Sequence, residues 1–245
     1  MTLIDELLAS IEADMPLRSV TVGAHMTAVA SRGCGIAATF VGDGAFMHVP
    51  VRGVGDLLRM SARELAEYAR SDHPLESTLG IAALNSLLRV DTAAMRERNA
   101  SEIILERGRG RKVALVGHFP FIPKLAGAVD ELWVLEKRPM EGEYPAEAAP
   151  ELIPRADVVA ITGSALVNHT LEGLLNLCSP EAFVVVLGPS APLSPVLFGR
   201  GVSVICGAVV TDETALLRGL TQGGHFRQFE GTRMLCWERG GTRRR

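Results

Sequence analysis

The chain has 245 residues, 47% of them hydrophobic and 22% charged, and its formal net charge at pH 7 is −3. This length suits one large or two modest globular domains, and the slightly acidic charge gives no reason to expect a nucleic-acid partner. No apolar run free of charges reaches the roughly 20 residues that a membrane span needs, so no membrane association is expected.

The first half predicts a small mixed domain. Residues 2–14 predict an acidic amphipathic helix without the basic flank and apolar core of a signal peptide, so we expect a cytoplasmic protein. Residues 19–29 and 36–41 predict a hairpin, with a further turn at 42–44.

Two helices are predicted to follow. Ser61 and Glu64 have the spacing of a capping box at a helix start. Residues 74–90 predict a longer helix whose small and apolar side chains pack inward, and its Glu76, Ser77 and Asn85 could face a cleft.

The second half alternates short apolar runs with helical segments, which predicts βα units and a largely parallel sheet. The predicted strands are residues 113–116, 132–135, 158–161, 183–187 and 202–205, with one more within 226–237. We therefore predict an α/β protein with a small α+β domain at 1–108 and an open parallel-sheet domain at 109–245. Its arginine tail, 243–245, is expected to be solvated.

Polar or small residues follow four of the predicted strands, at the carboxyl ends where ligands bind in open α/β sheets. These strand-end groups are Gly117-His118-Phe119, Glu136, Thr162-Gly163-Ser164 and Gly188-Pro189-Ser190, with Asn168 just beyond the third. Glycine lets the backbone approach a ligand closely, and free backbone N–H groups favour anions. We expect a cleft that binds a small anionic ligand, with Glu136 available to a ligand hydroxyl and His118 to a metal ion or a proton.

Each strand-end group also has a purely structural alternative. Glu136 can pair with a neighbouring base such as Lys137. The helically spaced leucines of residues 166–177 predict one helix after the third strand, and Ser164 or Asn168 can cap it. The Gly188-Pro189-Ser190 stretch can form only a rigid turn. Together the four groups favour a cleft more strongly than any one of them does.

Several motifs are absent from the sequence, and their absence argues against certain cofactors and enzyme classes. Gly117 is not followed by the GxGxxG pattern, which argues against NAD(P) and FAD. An acid at the end of the second strand, Glu136, leaves an adenosine-type ligand such as S-adenosylmethionine open, and with it a transferase-type enzyme. A G-x-S-x-G elbow and a Walker P-loop are absent, which disfavours a hydrolase or an NTPase.

Cysteine and histidine spacing predicts no compact metal site. The four cysteines form no CxxC pair, so neither a zinc site nor a disulfide is expected, and Cys178 and Cys206 are expected to be buried thiols. The six histidines never form HxH, HxxxH or HExxH, so metal ligands would have to come from distant segments. His118 is the best candidate for a transition-metal ion, and His169 is second.

Four stretches of the second half carry a specific set of motifs: VGHFPF at 116–121, VLEKRP at 134–139, ADVVAITGSALVNHTLEGLL at 156–175 and VVLGPSAPLSPVLFGRGV at 185–202. They resemble the Rossmann-like domain of the putative heavy-metal-chelation family. The first half resembles the usual partner of that domain, which has an enolase-amino-terminal-like fold, in SRGCGIAATF at 31–40 and PLESTLGIAALNSLLR at 74–89.

The resemblance implies two α/β domains with a cleft between them and a role in handling metal ions or metal chelates. Positions that match its motifs are Gly117, His118, Glu136, Thr162, Gly163, Asn168, Gly188, Pro189 and Ser190. After the asparagine the family more often has a small residue where this chain has His169. We expect a metal-binding or small-ligand-binding protein and leave open a transferase, a structural role and a homo-oligomer. Enolase activity is not implied, because the resemblance is one of fold only.

Overall fold

The computed structural model describes residues 1–41 and 48–240. The turn predicted at 42–44 and the arginine tail lie outside these ranges. The described helices are α1 Leu3–Ala9, α2 Ala62–Ala66, α3 Pro74–Leu87, α4 Ala100–Gly108, α5 Ile122–Ala126, α6 Ala149–Leu152, α7 Ser164–Val167, α8 Leu171–Leu177, α9 Val196–Gly199 and α10 Glu213–Thr221. The described strands are β1 Ser19–Val22, β2 Met26–Ala30, β3 Cys34–Ala38, β4 Lys112–Val116, β5 Glu131–Glu136, β6 Tyr144–Pro145, β7 Val158–Thr162, β8 Phe183–Leu187, β9 Val204–Val210 and β10 Thr232–Glu238.

The first unit is a three-stranded antiparallel sheet, β1–β2–β3, with α3 packed across it. The predicted strand at 19–29 is two strands, because a turn at Gly23 to His25 reverses the chain. Most of α3 is buried, and its glycine, Gly80, packs so closely against another segment that no side chain would fit. A Cβ on Gly80 would lie 1.9 Å from the backbone nitrogen of Ala69. The capping box at the start of α2 is confirmed, since the Ser61 and Glu64 side chains bond reciprocally to backbone N–H groups.

The second unit is a seven-stranded sheet in the order β10–β9–β8–β7–β4–β5–β6. All its neighbours are parallel except the antiparallel pair β9–β10, and the α/β fold class is confirmed. The inner strands are buried on both faces, as the apolar runs predicted. None of the helices that the structure describes is long and apolar enough to cross a membrane.

Helix α4 packs with the second sheet, because Ile103 and Ile104 are buried in one cluster with Val113 and Val158. The boundary at 108/109 stays a prediction, and this packing favours an earlier one. The two units share buried surface, where Met26 and Ile36 of the first pack with Leu220 and Phe229 of the second.

The expectation of free cysteines was wrong at two positions. Cys206 and Cys236 form a disulfide across β9 and β10, where they are directly opposite in the strand register. The Cys236 backbone N–H and C=O bond to Arg96 rather than to β9. The two cysteines are therefore a non-hydrogen-bonded pair, the kind in which side chains lie closest across antiparallel strands. Sequence spacing carried no sign of this register.

The prediction of a single helix after β7 was also wrong, because this segment forms two helices, α7 and α8. The break lies at His169, whose φ of +61° makes it the one non-glycine residue in the left-handed region among those described. The Asn168 Oδ1 accepts hydrogen bonds from the Thr170 hydroxyl at 2.6 Å and the Thr170 N–H at 3.3 Å, which closes the turn.

Candidate functional site

The sheet reverses its strand order between β4 and β7. From β4 the chain goes outward to β5 and β6, then returns to place β7 on the other side of β4 and continues to β8, β9 and β10. Such a switch opens a crevice outside the carboxyl ends of the two strands, and ligands of open α/β proteins bind there. In this chain the switch lies between Gly117-His118 after β4 and Thr162-Gly163 after β7, and we call this edge of the sheet the switch crevice.

Two glycines bring the backbone together around Thr162. Gly117 has a φ of +114° and Gly188 a φ of +116°, a conformation that side-chain-bearing residues rarely adopt. A Cβ on Gly117 would lie 3.1 Å from the Thr162 side chain, and one on Gly188 would lie 4.0 Å from Thr162 Oγ1 and 3.9 Å from the Gly163 nitrogen. The structure thus brings together the ends of β4, β7 and β8.

His118 is held at this crevice by a residue that the sequence reasoning missed. Its Nδ1 lies 2.7 Å from Oε1 of Glu143, and the other carboxylate oxygen of Glu143 accepts the Met140 N–H at 2.9 Å. The Met140 hydrogen bond, helped by His118 and opposed by burial, lowers the pKa of Glu143. An ionised Glu143 accepts from Nδ1–H, which leaves Nε2 of His118 with its lone pair and with no partner among the described residues. The His118 side chain is 48% exposed and that of Glu143 only 8%.

Glu136 ends β5 beside the same corner of the sheet. Its neighbour Leu135 accepts the Gly117 N–H at 3.1 Å, and Glu136 itself pairs with Pro145 of β6. One carboxylate oxygen accepts the adjacent Lys137 N–H at 3.1 Å, and the side chain is half-buried. The Phe119 ring stacks on Phe121 with centroids 5.1 Å apart. An acid and an aromatic pair therefore lie on the chain segments next to His118.

The remaining predicted residues make bonds within the protein. Thr162 Oγ1 accepts the Ser164 N–H at 3.3 Å, so that amide is not free for an anion, and α7 has only four residues to contribute a dipole. Ser190 is 1% exposed, and its hydroxyl accepts the Ala38 N–H of β3 at 2.8 Å. Pro189 is half-buried beside Gly188. Ser190 therefore joins the first unit to the strand ends.

The cleft candidates of the first unit are also engaged. The guanidinium of Arg52 donates to Oε2 of Glu76 at 2.7 and 2.9 Å and to Oε1 at 3.1 Å, and the Ser71 hydroxyl donates to Oε2 at 2.7 Å. Asn85 donates from Nδ2 to the carbonyls of Ile36 and Ser190. Asn85 thus joins the two units, whereas the bonds of Glu76 lie within the first unit.

Ser77, His169 and Asp72 resemble a catalytic triad in composition but not in hydrogen bonding. Ser77 Oγ lies 2.7 Å from the Val167 carbonyl and 3.2 Å from His169 Nε2. Its single proton goes to the carbonyl, so Nε2 must donate to the hydroxyl, whereas a nucleophilic serine needs Nε2 as acceptor. Ser77 is 1% exposed, and Asp72 lies 3.9 Å from Nδ1. The group therefore anchors the α7–α8 turn.

A cavity of about 360 Å³ lies beside His169, between the start of α1 and the α7–α8 turn. The charged residues that line it are already paired: Arg70 with Asp5, and Glu172 with Arg200. The described residues that line it include none of the strand-end groups. We place the candidate site at the switch crevice because Glu143 fixes the His118 imidazole there, next to the strand ends.

The described ranges, 1–41 and 48–240, hold no group of three or more histidine, cysteine, aspartate or glutamate side chains that could hold a metal ion. His118 and Glu143 are a pair, and Glu143 uses its facing oxygen on His118. Burial raises the pKa of the free thiols, to about 12 for Cys34 and about 11 for Cys178, so neither is a ready thiolate ligand. The described residues therefore offer a bare ion no preformed cage of three or more side-chain ligands.

Two family models match the chain, both described as putative heavy-metal chelation: DUF4213 over residues 4–88 and DUF364 over residues 99–236. A crystal structure of a protein of unknown function from the DUF364 family of Desulfitobacterium hafniense is 25% identical, with a TM-score of 0.84 over 97% of this chain and 98% of that one. A DUF364-family protein from Pyrococcus horikoshii, 22% identical, has the same fold, with a TM-score of 0.82 over the same shares.

A curated relative, an uncharacterized protein of Methanocaldococcus jannaschii, is 29% identical over 168 residues. That match spans 65% of this chain and 65% of the archaeal protein.

Proposed function

Because the chain belongs to the family described as putative heavy-metal chelation, we propose that it binds a small anionic ligand that carries a metal ion already chelated. The ligand sits in the switch crevice, where His118 Nε2 takes an open coordination position of the metal. The observation that carries this proposal is the His118–Glu143 hydrogen bond, which fixes the imidazole and leaves one nitrogen free.

The small number of metal-ligating side chains at the switch crevice favours a chelated metal over a bare ion. Nickel, copper and zinc accept neutral imidazole, and a histidine that binds metal commonly donates its other ring N–H to a carboxylate, as His118 does to Glu143. One imidazole alone is a weak site. A chelator that brings several donors of its own needs only one more from the protein, and this is what the described residues offer.

The surroundings suit a ligand of modest size. Gly117 and Gly188 have no side chains to fill the crevice, and the Glu136 carboxylate can accept a hydrogen bond from a hydroxyl or amine of the ligand. The stacked Phe119 and Phe121 rings add an apolar wall. A cytoplasmic location and assembly into a homo-oligomer stay predictions of the sequence.

One observation favours a second candidate, a transferase-type enzyme that uses an adenosine-containing cofactor such as S-adenosylmethionine. Glu136 ends the strand next to β4, where an acid can bind ribose hydroxyls. If this candidate holds, S-adenosylmethionine alone stabilises the protein against heat, and Glu136→Gln removes that effect while His118→Ala does not.

The test of the chelate proposal is a calorimetric titration with two nickel chelates. Nickel nitrilotriacetate keeps open coordination positions, whereas nickel EDTA keeps none for a protein ligand. We expect saturable binding of the first only, weakened at least tenfold by His118→Ala, because the metal–imidazole bond is lost. His48→Ala, at another exposed histidine, is the matched control and keeps the affinity. Equal binding of both chelates, or equal affinity in His118→Ala, would refute the proposal.

A further inference from the structure

We propose that His25 and His225 form a second, separate metal site, which binds a divalent transition-metal ion of the zinc class between the two units. His25 lies in the turn between β1 and β2, and His225 lies just before the turn at 226–228 that precedes β10. Their rings are 5.2 Å apart between centroids and tilted by 52°. This site goes beyond the proposed function, because it would take a bare ion and uses none of the residues of the switch crevice.

The ring separation matches two imidazoles on one ion. With a Zn–N bond of about 2.0–2.1 Å, and the ring centre about 1.1 Å beyond the nitrogen, each centroid lies about 3.2 Å from the metal. At a tetrahedral angle the two centroids are then about 5 Å apart. The observed 5.2 Å agrees with this, and the tilt keeps the rings from stacking face to face.

Both histidines are carried by fixed backbone. The His25 carbonyl accepts the Thr39 N–H at 3.0 Å, and the Gly23 N–H donates to Met26 at 2.9 Å across the turn. On the other side, the Gln228 side chain accepts the His225 N–H at 2.8 Å, and the Gln228 N–H donates to the His225 carbonyl at 2.7 Å. The Gln228 backbone N–H also bonds to the His225 ring, and the second ring nitrogen remains for an ion without any turn of the ring.

The pair lies over buried interface, so the ion would join the two units. Met26, next to His25, packs in one apolar cluster with Leu220 and Phe229 of the second unit. The turn comes this close because Gly23 has no side chain: a Cβ there would lie 2.8 Å from the Leu220 carbonyl oxygen. Both histidines are exposed, so the ion and the waters that complete its coordination have access.

If both imidazoles bind the same ion, the zinc affinities of the single and double variants should follow a characteristic pattern. Losing either imidazole should cost nearly as much affinity as losing both, because the remaining one is an ordinary surface histidine. We expect one zinc ion per chain to bind and to raise the thermal unfolding temperature. His25→Ala, His225→Ala and the double variant should each weaken zinc binding at least tenfold, by similar amounts.

The experiment is a zinc titration of the metal-stripped full chain, followed by calorimetry and thermal unfolding. His48→Ala, at an exposed histidine outside both proposed sites, is the matched control and keeps zinc affinity. If an alanine variant is poorly folded, His25→Gln and His225→Gln replace it. Zinc affinity that survives in both single variants would overturn the proposal, as would losses that simply add in the double variant. The chelate proposal is unaffected by either result, because its titration depends on His118.

Discussion

The Nδ1 atom of His118 lies 2.7 Å from Oε1 of Glu143, and this bond sets which nitrogen of the imidazole faces outward at the switch crevice. Glu143 is held in turn by the Met140 N–H at 2.9 Å. The loop after β5, which reads from sequence as an exposed connection, therefore orients the one side chain that we propose binds the metal of the ligand.

Glu143→Gln should weaken chelate binding even though Glu143 does not touch the ligand. A neutral amide holds the His118 N–H less firmly and lowers the basicity of Nε2, an effect that typically costs roughly tenfold or more in metal affinity. The measurement is the dissociation constant of nickel nitrilotriacetate. Glu141→Gln, in the same exposed loop, is the control and should leave it unchanged. An unchanged constant in Glu143→Gln would show that the bond has no orienting role.

Gly117→Ala should destabilise the fold by roughly 1–3 kcal/mol, because alanine is strained at a φ of +114° and its Cβ would lie 3.1 Å from Thr162. Urea unfolding measures the change. Gly173→Ala, on an exposed helical face with no atom near the added Cβ, is the control and should be neutral or slightly stabilising. Equal stability of the two variants would contradict the claim that Gly117 allows the ends of β4 and β7 to lie this close together.

The Arg52–Glu76 pair should make the protein sensitive to acid. Burial opposes ionisation of Glu76, but hydrogen bonds from the Arg52 side chain and backbone and from Ser71 outweigh it and lower the pKa to about 2. Because the pKa falls on folding, the stabilisation is complete above the unfolded value near 4.5 and is lost as pH falls toward 2. The shift corresponds to about 3 kcal/mol.

Unfolding free energy measured from pH 7 to pH 2 tests this pair. Glu76→Gln should lower the unfolding free energy at pH 7 and reduce the further loss of that free energy as the pH falls from 4.5 to 2. Glu12→Gln, at an exposed pair, should change neither. A variant of Glu76 with the same loss as the parent would show that other carboxylates cause it.

The Cys206–Cys236 bond should stabilise the attachment of the antiparallel strand β10. It closes a loop of 30 residues, for which chain entropy predicts about 3–4 kcal/mol. Denatured, unreduced protein should show two reactive thiols, from Cys34 and Cys178. Reductant should lower the stability of the parent but not of the Cys206→Ala/Cys236→Ala variant. Four reactive thiols before reduction would contradict the bond.

The sequence predicted the strands of the large sheet well, because strands buried on both faces must be continuous apolar runs. Val158 to Thr162 and Phe183 to Leu187 show this pattern most clearly. It also predicted that Gly117, Thr162 and Gly188 lie together, since the carboxyl ends of parallel strands share one edge. The family resemblance stated from the motifs was confirmed by both family models.

What the sequence could not provide depends on contacts between distant segments. Glu143 reaches His118 only because a loop folds back over β5, and nothing in its immediate neighbours indicates that. Cys206 meets Cys236 because of a strand register that spacing does not reveal. His169 breaks the helix after β7 in a conformation that residues other than glycine seldom adopt. The periodic leucines of residues 166–177 therefore predicted one helix where the structure has two.

The most direct test of the central claim is electron paramagnetic resonance of copper(II) nitrilotriacetate bound to the full chain. If His118 Nε2 takes an open coordination position, the spectrum should show one added nitrogen ligand, which disappears in His118→Ala and persists in the double variant His25→Ala/His225→Ala. A spectrum without the added nitrogen, or one unchanged in His118→Ala, would contradict the claim that this imidazole binds a chelated metal.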